Sequence, residues 1–273
     1  MTASGLQKDQ LKFNNYDKSF TGILLNDGRN LIWDIDVKAD AGDMPNISGG
    51  GLGATGFILD QIKFHWGGEH PSKSCSGSEH LVEYQRAPME IQLIHLNAKY
   101  SGQEAHNRSD GIAIVSFLID IVKPGEDLLY DFSSIVNQLD KVMWPMNQTK
   151  MSLNLRHITP LVDGSSIYFR YDGSLTTPPC SENVKWTVFQ ERIAVPLLHL
   201  TAFRTKLWHQ VGTNMDAKQI ESNFRPIQRQ RKREILTNGK GTWEAQQSPN
   251  KGSSLALPCC FTLVLYCLVQ QSW

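Results

Sequence analysis

The strongest constraint on the fold is an alternation of polar and apolar residues in two segments, 56–66 and 89–96. Successive side chains of a β-strand point to opposite faces of a sheet, so this period predicts two strands. In the first strand, the apolar residues Ile62, Phe64 and Trp66 are predicted to face the core. The other face of the first strand then carries three polar side chains, Gln61, Lys63 and His65. On the second strand, one face is shared by Glu90, Gln92 and Ile94.

Further segments extend the β pattern. Residues 112–122 form a nearly continuous apolar run, which is typical of a strand buried on both faces. Residues 167–171 and 184–189 are also predicted strands, and helices are predicted at 133–142 and 198–207. A chain of 273 residues with this content predicts a single, mainly β domain of the α+β class with peripheral helices.

The charge balance excludes one class of partner. Lys and Arg together number 27, equal to Asp and Glu together, so the formal net charge is zero. Non-specific attraction to nucleic acid needs an excess of basic residues. We therefore expect no nucleic-acid partner.

Short motifs follow one another in the order found in a known enzyme family. They include N-D-G at 26–28, G-S-E-H at 77–80, and Y-D-G-S-L-T-T-P-P-C at 171–180, which is the most specific. Two further motifs are Q-I-K-F-H-W-G at 61–67 and E-I-Q-L-I-H at 90–95. From about Leu11 to about Glu234 the chain resembles the α-class carbonic anhydrases. The resemblance implies a large, twisted, mostly antiparallel sheet with peripheral helices.

The resemblance also suggests how the chain is organised. Residues 1–236 match the family domain without its N-terminal part, which indicates a truncated sequence. Residues 237–254 are polar and are predicted to form a linker. Residues 255–273 form an apolar tail whose apolar run is shorter than the ~20 residues that span a bilayer. This tail resembles a GPI-attachment signal, and a frame-shifted C-terminus is the alternative.

In this family three histidines hold a catalytic zinc ion, and the resemblance places them at positions 63, 65 and 92. Only His65 is a histidine, because Lys63 and Gln92 occupy the other two positions. A protonated lysine donates hydrogen bonds and does not ligate, and an amide oxygen is a weak zinc ligand beside imidazole. We therefore expect no zinc cofactor, and a zinc site built on unconventional ligands is the alternative.

The resemblance assigns roles to several further residues. Thr176 would accept the hydrogen bond of a zinc-bound hydroxide and donate to Glu79, while Gln61 and Glu90 would orient the first and third ligands. The family's proton-shuttle histidine is replaced by Arg29, which cannot shuttle protons because an arginine side chain stays protonated at neutral pH. The pocket for carbon dioxide would be lined by four apolar side chains: Ile94, Ile114, Leu175 and Trp186.

Lys63 suggests a replacement for the missing metal charge. Without a cation, Glu79 and Glu90 would be buried at considerable cost. One hypothesis is that the Lys63 ammonium pairs with Glu90 and hydrogen-bonds to Gln92. The alternative is that the side chain extends along the cleft to solvent.

Several features favour an extracellular protein. N-glycosylation sequons begin at Asn46, Asn107 and Asn147. Cys180 resembles one cysteine of the family's extracellular disulfide, and the other would lie upstream of this chain. Two alternatives follow for Cys180, a disulfide bridge to Cys75 and a free thiol. We expect secretion or a lipid anchor on the outer face of the plasma membrane, although no signal peptide is visible.

These features leave more than one function open. The replaced ligands favour a carbonic-anhydrase-related protein without hydratase activity, acting as a secreted or surface-anchored binding module for a protein or glycan. A working carbonate dehydratase, which is a zinc lyase, is the first alternative because the residues around the ligand positions are retained. A component of a mineralised extracellular matrix is the second.

Overall fold

The computed structural model describes residues 10–36, 41–68, 77–82, 85–160, 166–211, 216–228 and 233–239. Its helices are α1 (Gly102–Ala105), α2 (Ser133–Val136) and α3 (Leu197–Lys206), and short 3-10 turns lie at Ala41–Asp43, Leu139–Lys141 and Leu155–His157. Its strands are β1 (Lys12–Asn14), β2 (Ser19–Asn26), β3 (Leu31–Ile35), β4 (Asn46–Ser48), β5 (Phe57–Trp66), β6 (Met89–Asn97), β7 (Ile112–Ile121), β8 (Gln148–Asn154), β9 (Tyr168–Gly173), β10 (Val184–Phe189), β11 (Ile193–Val195), β12 (Trp208–Val211), β13 (Asp216–Gln219) and β14 (Leu236–Thr237).

Twelve of the described strands form one sheet, whose main path runs β14-β9-β10-β7-β6-β5-β3-β2-β8. Strands β1, β4 and β11 attach beside this path, and β12 and β13 form a separate pair. Strands β10 and β11 pair with β7 in parallel, whereas β5, β6 and β7 pair antiparallel with one another. The large, mostly antiparallel sheet that the sequence predicted is therefore confirmed.

The predicted strands correspond to β5, β6, β7, β9 and β10, with differences only at their ends. In β7 the first eight residues are buried, as expected for a strand covered on both faces. The predicted helix at 133–142 is instead divided into α2 and the 3-10 turn Leu139–Lys141. The division follows from backbone hydrogen bonds of the i to i+3 type, such as Gln138 N–H to Ile135 O and Lys141 N–H to Gln138 O.

A β-bulge in β5 determines which side chains face the candidate site. The pairing with β6 passes from Leu59 opposite His95 to Gln61 opposite Ile94, so Asp60 is an extra residue in the ladder. Phe57 and Leu59 face the core before the bulge, and the even-numbered residues of β5 face it afterwards. The bulge therefore turns the later odd-numbered side chains away from the core.

The main core lies on the face of the sheet that is covered by the helices. Phe203 of α3 packs on Phe64 and Trp66 of β5, with ring centroids 5.6 and 5.5 Å apart, and Phe132 lies 6.0 Å from Phe64. These contacts leave the opposite face of β5 and β6 free to carry polar groups. Among the described residues, no helix is both long and apolar enough to cross a membrane.

Candidate functional site

Pairing between β5, β6, β7 and β10 arranges the site residues in rows across the sheet. Lys63 lies opposite Gln92, and Gln92 lies opposite Ser116 of β7. In the next row His65 lies opposite Glu90. Directly opposed residues share a face, so the polar side chains of both predicted strands meet on one surface.

Glu90 is the centre of a hydrogen-bond network on this surface. Its Oε1 accepts from Nδ1 of His80 at 2.8 Å, from Oγ of Ser116 at 2.7 Å and from Nε2 of Gln92 at 2.9 Å. Its Oε2 accepts from the backbone N–H groups of Glu79 and His80, both at 2.8 Å. The carboxylate is fully buried and its lone pairs are occupied, so it has little capacity left for a metal ion.

The Glu90–His80 contact is an ion pair whose two members favour each other's charged form. Burial alone would raise the pKa of Glu90, but the His80 charge and hydrogen bonds hold it well below the ordinary range. Burial would lower the pKa of His80, but the Glu90 charge and hydrogen bond raise it. On its other side, Nε2 of His80 lies 2.7 Å from the Tyr171 hydroxyl, whose pKa is raised by burial.

Gln92 joins the two acidic residues of the site. Its Nε2 donates to Oε2 of Glu79 at 2.8 Å as well as to Glu90. Oε1 of Glu79 accepts from the backbone N–H of Arg225 at 2.9 Å. The amide of Gln92, which stands at a ligand position of the resembled family, is therefore oriented with its N–H donors toward carboxylates.

His65 is fully buried and is held through one ring nitrogen. Its Nδ1 lies 3.2 Å from the backbone oxygen of Asn223 and 3.7 Å from Oε1 of Glu79. Its Nε2 has no hydrogen-bond partner in the described ranges. Because a buried unpaired nitrogen is costly, this atom is a position at which the site could take a further ligand.

Lys63 is partly buried, and its ammonium makes no hydrogen bond or close ion pair to any described residue. The hypothesis that it pairs with Glu90 and hydrogen-bonds to Gln92 is therefore wrong. Oε1 of Glu90 already accepts from Gln92, His80 and Ser116. Burial lowers the pKa of Lys63, while the charges of Asp27, Asp34 and Glu79 partly oppose this shift.

An apolar wall stands beside the polar rows. Ile94, Ile114 and Trp186 are opposed in register across β6, β7 and β10, and they form one buried cluster. Leu175 packs against this cluster. Gln61 continues the row on β5, and its Nε2 donates to Oδ2 of Asp60 at 3.2 Å. The four residues expected to wall the pocket therefore lie together.

Thr176 and Arg29 make no hydrogen bond to Glu79 or Glu90. Thr176 is partly buried, and the Glu79 carboxylate accepts from Gln92 and from the Arg225 backbone. Arg29 is exposed, and its backbone N–H donates to Oδ1 of Asp27 at 2.8 Å within the turn after β2.

Other residues of the network were not found from the sequence. Ser116 lies in an apolar run, and its hydroxyl is the only polar side chain among the first seven residues of β7. Tyr171 was seen only as the start of a motif. Asn223 and Arg225 lie within residues 223–226, N-F-R-P, for which the sequence predicts no contact with the site. A polar residue inside an otherwise apolar strand was the one signal available.

The sequons differ in accessibility. Asn107 and Asn147 are exposed, whereas Asn46 is partly buried. Nδ2 of Asn46 donates to the backbone oxygen of Met44 at 3.1 Å, and its Oδ1 accepts from Asn14 at 2.8 Å. Cys180 is a free, partly buried thiol. Cys75, residues 240–254 of the predicted linker and the apolar tail lie outside the described residues.

No cluster of three or more His, Cys, Asp or Glu side chains suited to a metal ion occurs within the described ranges. The comparison with known proteins nevertheless gives a clear family. The model of the eukaryotic-type carbonic anhydrases matches residues 2–239.

Several curated relatives support the match. Carbonic anhydrase 4 of Oryctolagus cuniculus is 32% identical over 94% of this chain and 76% of its own length. Carbonic anhydrase 15 of Mus musculus is 32% identical over 87% and 69%, and carbonic anhydrase 6 of Canis lupus familiaris is 34% identical over 64% and 52%. The chain belongs to the eukaryotic-type carbonic anhydrase family.

Proposed function

We propose that this protein is a carbonic-anhydrase-related protein that does not hydrate carbon dioxide and acts as a binding module. The observation that carries the proposal is the Gln92 amide, which donates to Glu79 at 2.8 Å and to Glu90 at 2.9 Å. In a zinc site of this family the same position presents a lone pair to the metal. Here it presents N–H groups to two carboxylates.

The remaining donors do not fit a catalytic zinc ion. Such an ion takes three protein ligands and keeps one open position for water. The three positions hold one imidazole, one amide turned toward carboxylates and one ammonium. Glu90 is already saturated by hydrogen bonds, so it cannot replace a missing ligand without breaking the network.

The network supports the proposal, because it would stabilise the site in the absence of a metal ion. Each buried carboxylate has donors of its own, because His80, Ser116 and Gln92 serve Glu90, while Gln92 and the Arg225 backbone serve Glu79. Buried charges that are paired and hydrogen-bonded are tolerated. Lys63 adds a nearby positive charge without being a member of the network.

A working hydratase is the second candidate, and one observation favours it. Nε2 of His65 is buried and unpaired within the described part of the chain, as expected of a nitrogen that ligates a metal ion. The apolar cluster of Ile94, Ile114 and Trp186 also supports this candidate. The two candidates make opposite predictions for carbon dioxide hydration by a protein with Lys63 and Gln92 at the ligand positions. A hydration assay therefore distinguishes them.

The test is carbon dioxide hydration by stopped-flow at neutral pH, with zinc supplied in excess. The natural protein is compared with the Lys63→His/Gln92→His variant. We expect no hydration above the buffer rate for the natural protein and measurable hydration for the variant, since three imidazoles lower the pKa of zinc-bound water to about 7. Hydration by the natural protein that is abolished by a chelator would refute the proposal.

We also propose an extracellular location and a protein or glycan ligand. The exposed positions of Asn107 and Asn147 support the first, because an acceptor asparagine must be accessible. The loss of the catalytic ligand set on a retained fold supports the second, since function resides in sites rather than in folds. A lipid anchor at the C-terminus remains part of this proposal, as does the absence of a nucleic-acid partner.

A further inference from the structure

A second set of polar side chains lies on the face of the sheet opposite to the candidate site, which faces the cleft. Along β9 the side chains alternate, and Tyr171 faces the cleft, where it lies 2.7 Å from Nε2 of His80. Arg170 therefore points to the opposite face. Tyr168 shares that face and packs on Phe189 of β10, with ring centroids 5.6 Å apart.

The Arg170 guanidinium is enclosed and unpaired within the part of the chain that the structure describes. The residue is 5% exposed, and its Nε, Nη1 and Nη2 have no hydrogen-bond partner among the described residues. Asp172 favours its charge from a distance, but that carboxylate is directed to Lys185, 3.8 Å away. Burial lowers the pKa of Arg170 to about 10, so the group stays positively charged at neutral pH.

A second unpaired donor stands beside it. Thr187 of β10 is directly opposite Arg170 in the antiparallel pairing, so both side chains lie on the same face. Thr187 is fully buried, and none of the described residues is a hydrogen-bond partner of its Oγ1. Two adjacent strands thus present one buried guanidinium and one buried hydroxyl to the same place.

Buried polar groups in proteins are almost always paired, so an exception indicates a partner such as a bound ion, ligand or ordered water. The partner of a guanidinium must accept hydrogen bonds, and a negatively charged acceptor also offsets its charge. A carboxylate or phosphate matches its planar fork with two parallel bonds, and a neighbouring hydroxyl adds a third donor. An ammonium or an apolar group would leave the cost of burial unrelieved.

We propose that Arg170 and Thr187 form an oxyanion-binding site that takes a carboxylate or a phosphate group. The group comes either from a free anion or from an acidic side chain of a polypeptide that docks on this face. The site is separate from the cleft, since Arg170 and Thr187 lie on the face of the sheet opposite to Tyr171. Its failure would leave the proposal about the cleft unchanged.

The test is thermal unfolding of the full chain in phosphate, in acetate and with a triglutamate peptide, all at constant ionic strength set with chloride. We expect at least one of these probes to raise the unfolding midpoint of the natural protein in a saturable way, by about 5 °C at one hundred times Kd. A response to phosphate or acetate identifies a free anion. A response to the peptide alone identifies a polypeptide carboxylate.

Two variants and a control make the result specific. Arg170→Met is expected to lose the response, and the nearly isosteric Thr187→Val, which preserves the packing, is expected to weaken the affinity about tenfold. The control is Arg192→Met, because Arg192 pairs with Asp120 at 3.2 Å and should not affect the response.

Two results would overturn the proposal. One is a natural protein that responds to none of the probes. The other is a Thr187→Val variant that binds the anion as tightly as the natural protein. The second variant decides the matter even where Arg170→Met fails to fold.

Discussion

Gln92 provides the most informative perturbation of the site. Its side chain is almost completely buried and donates to two buried carboxylates, at 2.8 and 2.9 Å. Replacement by leucine removes both donors while keeping a side chain of similar size. The carboxylates remain buried, so each loses one charge-assisted hydrogen bond.

The size of the effect follows from those two bonds. A hydrogen bond to a charged group contributes about 2 kcal/mol, so the pair contributes about 4 kcal/mol. The apolar leucine recovers about 1 kcal/mol through its own burial. We therefore expect Gln92→Leu to lower the free energy of unfolding by about 3 kcal/mol.

The assay is urea unfolding at pH 7, with and without EDTA. The matched control is Gln61→Leu, because Gln61 lies on the same sheet face and makes one hydrogen bond of 3.2 Å, to its neighbour Asp60. The control is expected to cost less than about 1 kcal/mol. Equal losses in the two variants, or a chelator that destabilises the natural protein as much as the substitution does, would refute the reasoning.

Three further predictions follow from the contacts. Glu90 raises the pKa of His80 in the folded protein above the value of 6.5 in the unfolded chain. The stabilisation that the His80–Glu90 ion pair gives is therefore complete below pH 6.5 and is lost as the pH rises through the pKa of the folded protein. His80→Gln should therefore cost about 2 kcal/mol at pH 6 and less at high pH in urea unfolding, and a pH-independent difference would contradict this. Gly111→Ala should cost about 3 kcal/mol or more, because a Cβ would lie 1.8 Å from the Ala105 carbonyl oxygen; an unchanged melting temperature would count against it. On secretory expression, Asn107→Gln and Asn147→Gln should each remove one glycan by mass spectrometry, and Asn46→Gln should remove none.

Local pattern was sufficient to predict the central strands and their faces. Ile62, Phe64 and Trp66 are buried as the alternation predicted, and Glu90, Gln92 and Ile94 share a face. The bulge at Asp60 was not predictable from this pattern. An unbroken alternation from Phe57 and Leu59 would have placed Gln61 on the core face.

The hydrogen-bond network could not be predicted from the local sequence pattern, because its partners lie far apart in the sequence. Ser116 reaches Glu90 across 26 residues of sequence, and the Arg225 backbone reaches Glu79 across 146. Such partners are set by sheet order and loop path rather than by periodicity. The predicted Lys63–Glu90 pairing is wrong for this reason, because His80, Ser116 and Gln92 already donate to Oε1 of Glu90.

The measurement that tests the central claim most directly is zinc content by elemental analysis after purification in zinc-containing buffer. The natural chain is compared with Lys63→His/Gln92→His, and Gln61→Leu serves as a control for substitution at this face. We predict no stoichiometric zinc in the natural chain and about one zinc per chain in the double variant, as a restored three-histidine site requires. About one zinc per natural chain, retained after dialysis, would contradict the account.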